Sequence, residues 1–266
     1  ILPTARLDLI GAGQKLFYDS TVLNLGTLRW LSGSVTYDPV GANSTFTNRG
    51  LWEIHSDSSW FYGYSGSRPS IHNEGIIRKV GGSGTSTLRN FHFSNAGQIQ
   101  VDQGQLHLQA IGGFLTGTAN VAQGATLLFR NASLTNTGPV SFTGPGRSTF
   151  ESGDLWLGGT DQPAGLQLAG GTLRLLPTFQ GGAISNLFLR GITLVGTNHV
   201  QGLLSTSNSP INDVLVIEPG GQLDLAGSTI APTANWHVLN LGTVRWLSGT
   251  ISFNSGAVGS RFTNAN

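Results

Sequence analysis

The chain has no cysteine and no methionine in 266 residues, and only 10% of them are charged. Without cysteine there are no disulfides, no thiol nucleophile and no zinc–thiolate centre. The charged fraction is well below the ordinary ~25%, and lysine is nearly absent: Lys15 and Lys79 stand against twelve arginines. Net charge is +1 with the basic residues scattered, so the chain has no electrostatic footprint for nucleic acid or an anionic membrane. No apolar run approaches the ~18 residues of a membrane-spanning helix, and no stretch of useful length has helical periodicity. Membrane insertion and an α-helical fold are both excluded as expectations. Targeting tails and an initiator methionine are also missing from the sequence, which reads as a mature or excised piece of something longer.

What the chain has in quantity is glycine, 39 residues, and repetition. Val22–Gly33 (VLNLGTLRWLSG) returns 216 residues later as Val238–Gly249 (VLNLGTVRWLSG), with eleven of twelve positions identical. At the same offset Leu7-Asp8-Leu9 answers Leu223-Asp224-Leu225, and Phe46-Thr47-Asn48 answers Phe262-Thr263-Asn264. Residues 7–222 therefore form one full repeat unit, and 223–266 open the next copy within a single continuous solenoid over 1–266. Fixed-period self-similarity of this kind is the mark of a solenoid or array.

A shorter rhythm runs inside the long one. An apolar–x–Asn–x–Gly–x–apolar pattern recurs at Asn24, Asn48, Asn73, Asn95, Asn136 and Asn240, and Asn264 starts a seventh. The steps are 24, 25, 22, 41, 104 and 24 residues, so the two long ones divide into two and five turns of about 21. Alternating apolar residues on both sides predict strands with one buried face. Asn and Gly tolerate left-handed backbone, which places the bend at Asn-x-Gly. With coils stacked ~4.8 Å apart, the same asparagine in successive turns can hydrogen-bond as a ladder. The fold class is all-β, a parallel β-helix with coils of about 20–25 residues. One segment departs: Lys79 stands where its siblings carry an apolar residue, which predicts a bulge or rung edge there. About ten coils per unit would extend it by ~48 Å.

The rhythm of FSNAGQIQVDQGQLHL (Phe93–Leu108) and VAQGATLLF (Val121–Phe129) resembles the secreted bacterial parallel β-helix proteins, in the style of autotransporter passengers and filamentous-haemagglutinin-like adhesins. That resemblance implies a right-handed helix and an extracellular or cell-surface protein with a structural or adhesive role. It also implies self-association, end to end or laterally, into an elongated rod or filament.

Chemistry is sparse. No two of the thirteen acids are adjacent; Glu151 and Asp154 come closest, in a segment that reads as a turn. Asp8 and Asp224, flanked by inward leucines, are expected on the solvated outer face, and so is Arg29. The six histidines have no metal-ligand spacing, and His72 and His92 are expected side by side on neighbouring coils. Gly-rich runs precede no helix and cradle no phosphate, and no nucleophile elbow is present. No catalytic residue, metal or cofactor is expected, and the chain reads as a non-enzyme. The competing reading, a carbohydrate-binding or polysaccharide-degrading β-helix, needs acids converging across rungs. One stretch stands out for binding: Trp60, Phe61, Tyr62 and Tyr64, four aromatics in five residues. On a loop they would contact a surface glycan or another chain; folded back, they would fill the core.

Overall fold

The computed structural model describes residues 1–18, 20–37, 44–64, 67–159, 162–227, 229–230, 236–251 and 259–265. The sequence places a turn at Asp38–Ser44, and all of it but Ser44 lies outside the described residues. The fold is all-β, with parallel sheets stacked as a β-solenoid of about 11 turns. The chain divides into two compact units, one comprising residues 1–151 and 163–167 and the other 152–162 and 168–266.

In the first unit most coils carry three short strands. The ladder strands are Thr21–Asn24, Thr45–Asn48, Ser70–Asn73 and the second half of Thr85–Asn95. After the Asn-x-Gly corner follow the second strands, Arg6–Leu9, Thr27–Trp30, Leu51–Ile54, Ile76–Lys79, Gln98–Val101, Gly117–Val121 and Val140–Thr143, which make one seven-stranded parallel sheet. The third strands run from Lys15–Phe17 through Val35–Tyr37 and Ser59–Tyr62 to Arg147–Phe150.

Register turns the sequence alternation into columns. Leu28, Trp52, Ile77 and Ile99 stack in register and are buried, as are Val35, Trp60, Leu88, Leu108, Phe129 and Phe150. Burying each such side chain contributes ~1.5–3 kcal/mol, and because strand residues alternate, the residues between them face outward.

The outward column is electrostatic. Asp8, Arg29, Glu53 and Arg78 lie in register on successive coils, alternating in sign. Like charges directly opposite on neighbouring strands would repel; alternation avoids this.

In the second unit the columns are Gly153–Leu157, Thr172–Leu175 and Thr193–Val195; Ile184–Arg190, the later half of Thr197–Ser207, Gln222–Ala226 and Thr243–Trp246; and the start of Thr197–Ser207 with Val214–Ile217, His237–Asn240 and Arg261–Asn264. The coil spanning 172–190 is irregular. Pro177 follows its first strand, and a 3-10 turn at Phe179–Gly182 stands where other coils place a strand.

Candidate functional site

The asparagine corner is the most ordered polar feature of the first unit. Asn24 Nδ2 donates to Asn48 Oδ1 (2.7 Å), Asn48 Nδ2 to Asn73 Oδ1 (2.8 Å) and Asn73 Nδ2 to Asn95 Oδ1 (2.6 Å). The second hydrogen of each amide goes to a main-chain carbonyl of the next coil, at Leu51, Ile76 and Gln98 respectively. All four asparagines are buried, so the ladder satisfies groups that would otherwise be costly to desolvate. Asn136 stands two coils beyond Asn95, as the 41-residue step predicts, with Leu115 at the intermediate position. There Asn136 Nδ2 donates to the carbonyls of Leu115 and Gly138. In the second unit Asn240 Nδ2 donates to Asn264 Oδ1 at 2.7 Å.

The glycine of the motif is required for a reason other than the expected one. None of Gly26, Gly50, Gly75 and Gly97 has a positive φ, and neither do Asn24, Asn48, Asn73 and Asn95. Instead, a Cβ on Gly50 would collide with the carbonyl oxygen of Gly26, one on Gly75 with that of Gly50, and one on Gly97 with that of Gly75. The corner backbones stack directly on one another, and only a residue without a side chain fits. Left-handed conformation is found elsewhere, at Asn90, Asn131 and Asn208, which carry no repeat signal in the sequence.

Lys79 also departs from the expected bulge. It pairs in register with Ile54 below and Val101 above, with no bulge. Its side chain is fully buried, and its ammonium donates to Asp57 Oδ1 (2.8 Å), the Gly81 carbonyl (2.8 Å) and Ser86 Oγ (2.9 Å). Partial burial acts to raise the Asp57 pKa, but the Lys79 ammonium and the Gly84 N–H outweigh it and hold the carboxyl below its usual range. The chain's other lysine does similar work at an exposed turn, with Lys15 Nζ donating to the carbonyls of Gly11, Gly13 and Ser32.

The aromatic stretch is not a loop of four exposed rings. Ser59–Tyr62 is a strand in register with Val35–Tyr37, so its residues alternate. Trp60 and Tyr62 point inward and are fully buried; Trp60 packs against Trp30, Trp52 and Phe46. Phe61 faces outward under the Arg89 guanidinium, 4.6 Å from its ring centroid. Tyr64 is 41% exposed and meets Tyr62 edge to face. Only Phe61 and Tyr64 remain on the surface.

Carboxylates are paired across coils. Asp8 accepts from Arg29 at 2.8 Å, and its counterpart Asp224 accepts from Arg245 at 2.7 Å, the same contact 216 residues on. In each the arginine hydrogen bond is the main cause holding the carboxyl below its ordinary range. Arg49 pairs with Glu74, Arg78 with Asp102, Arg130 with Glu151 and Arg174 with Asp154. Glu151 and Asp154 thus each have their own arginine. The histidines expected side by side are offset: His92 pairs with Ser70, and His72 with Ser94.

Among the described residues no group of three or more His, Asp or Glu side chains could hold a metal ion, and no helix is long and apolar enough to cross a membrane. No protein-family model matches the chain, and neither a curated protein nor a solved structure shows significant similarity to it.

Proposed function

We propose that the protein is an extracellular structural or adhesive solenoid, in the manner of the β-helix adhesins it resembles, which self-associates into elongated rods or filaments and has no catalytic activity of its own. The observation that carries this reading is the ladder. The same corner contact recurs at Asn24–Asn48 and at Asn240–Asn264, with the same Asp–Arg pair beside it in both copies. A sequence that reproduces inter-coil contacts after 216 residues is organised for stacking, in which each coil is stabilised by its neighbours and length grows by addition. The cross-coil pairing of carboxylates supports the same reading, since acid–base hydrolysis of glycosides uses two carboxyl groups facing a common substrate. A surface glycan is the partner class that fits an adhesive role, with Tyr64 as the exposed ring available to it and the outward Phe61, half-buried under Arg89, at the same strand end.

Electron microscopy of the purified protein tests the proposal, alongside a polysaccharide-turnover assay. Rods or filaments with an axial repeat of ~48 Å or a multiple of it are expected. Compact monomers that degrade a polysaccharide would overturn the reading.

A further inference from the structure

The irregular coil of the second unit leaves a cavity of about 210 Å³ between residues 175–184 and 197–199. It lies where a strand is missing. Residues 197–200 pair on one side with Val214–Ile217, while on the other side pairing begins only at Val200, opposite Ile184. Among the described residues, then, no strand covers the second edge of 197–199. In place of a strand the preceding coil has a left-handed turn, with Gln180, Gly181 and Gly182 all at positive φ. The Gln180 side chain holds the turn: its Oε1 accepts from the N–H groups of Ser185 and Asn186, and its Nε2 donates to the Asn186 carbonyl.

The walls differ in character. Leu175, Leu176, Phe179 and Ile184 make one side apolar. Asn198 and His199 stand on the other. Asn198 is only 5% exposed and occupies a column whose next members are Leu215 and Val238. Its Nδ2 donates to the carbonyls of Val195 and Gly196, and its Oδ1 has no donor among the described residues. That oxygen is not sealed from solvent, so it is open to a donor entering the cavity, and the apolar residues of its column show that packing does not require an amide there. His199 Nδ1 is tied to Glu218 Oε1 at 2.7 Å, which fixes the ring and leaves Nε2 for another partner.

We propose that this cavity binds the secondary-amide group of a small ligand. The amide N–H donates to Asn198 Oδ1, the amide carbonyl accepts from the open main-chain edge at 197–199, and the apolar substituent lies against Leu175, Leu176 and Ile184. His199 Nε2 meets a further polar group of the ligand. At about 210 Å³ the cavity is smaller than the ~300–1,000 Å³ of ordinary ligand pockets, so it takes the amide and its nearest substituent, as carried by an acetamido sugar or a blocked single amino acid. Apolar walls with a few placed polar groups are the usual build of such sites. This inference does not depend on the filament reading.

Titration of the full chain, followed by NMR, with N-acetylglucosamine, N-acetylalanine methylamide and glucose tests it. One or both amides are expected to shift the resonances of 175–184 and 197–199, while glucose, which lacks the amide, leaves them unmoved; which amide binds identifies the source. Asn198→Leu, which continues the Leu215–Val238 column and should fold, is expected to weaken amide binding by roughly tenfold or more, and His199→Ala by roughly fivefold. No binding of either amide, equal binding of glucose, or undiminished binding by both variants would overturn the proposal.

Discussion

Asn48 Nδ2 donates to Asn73 Oδ1 at 2.8 Å while its second hydrogen reaches the Ile76 carbonyl at 3.0 Å, so one buried amide joins two coils at two points. Its Oδ1 in turn accepts from Asn24. Replacing it with alanine removes all three bonds and leaves buried partners on both neighbours without a mate. Asn48→Ala is expected to destabilise by about 3 kcal/mol, a fall of roughly 10 °C in Tm for a chain this size. Asn136→Ala, which removes bonds to main-chain carbonyls only, should cost about half as much. Thermal unfolding followed by circular dichroism distinguishes the two, and equal losses would show that the ladder adds nothing beyond ordinary amide contacts.

Gly50 and Gly13 make a sharp pair. A Cβ at Gly50 would strike the Gly26 carbonyl and main-chain atoms of Leu25, whereas one at Gly13 meets nothing within 4 Å. Neither glycine has a positive φ, so handedness does not enter the comparison. Gly50→Ala must push two stacked backbones apart, and a loss above about 3 kcal/mol or failure to fold is expected. Gly13→Ala should stay within about 0.5 kcal/mol of the parent. Denaturant midpoints of the two variants check this; a well-tolerated Gly50→Ala would mean that the corner is looser than its geometry indicates.

The corner was legible in the sequence because one residue type repeats at one phase: Asn24, Asn48, Asn73 and Asn95 could be aligned by spacing alone. Even the missing member was implied by the 41-residue step, and Leu115 fills it. What spacing does not contain is the distance between backbones, so the sequence alone points to left-handed conformation at the glycine when it is excluded volume that demands it. The aromatic stretch stayed open between loop and core for a related reason. Trp60 and Tyr62 alternate with Ser59 and Phe61 as strand residues do, but small polar neighbours on both sides gave them the look of a loop. Lys79 read as an interruption because an inward lysine needs Asp57 and Ser86 from elsewhere in the chain, and nothing local announces them. The cavity beside Asn198 had no sequence signal except Pro177 and the diglycine at Gly181-Gly182.

Lys79 and Asp57 differ in what their loss should do. Lys79 lies between Ile54 and Val101 in an apolar column, so Lys79→Met replaces a buried charge with a side chain the column already accepts. Such replacements are often neutral or stabilising, and a change within about 1 kcal/mol is expected. Asp57→Ala instead leaves the ammonium buried with only the Gly81 carbonyl and Ser86 Oγ, and a loss of about 3 kcal/mol is expected. Chemical denaturation of both variants at neutral pH measures the contrast. A larger loss for Lys79→Met than for Asp57→Ala would show the lysine to be a structural necessity and not a tolerated charge.

His107 faces outward by register, opposite Leu128 on the next coil, yet is 8% exposed, and its Nε2 has no partner among the described residues. Burial is the main cause depressing its pKa below the usual 6.5; the Arg130 charge adds to this, and contact with the Arg130 main chain and the Glu151 charge oppose it. The unfolded chain therefore takes up a proton at higher pH than the folded one does. Stability from this group is complete above about pH 6.5 and declines as pH falls through the folded value. His107→Leu, which matches the neighbouring Leu128, should flatten the fall in Tm between about pH 7 and pH 5. A second decline, below about pH 4, should persist in the variant, because Asp8, Asp57 and Asp224 are held below their ordinary range by Arg29, Lys79 and Arg245 and lose that stabilisation only on protonation. Calorimetric scans of both proteins across this range check the two limbs separately. An unchanged upper limb in His107→Leu would place the acid sensitivity on another group.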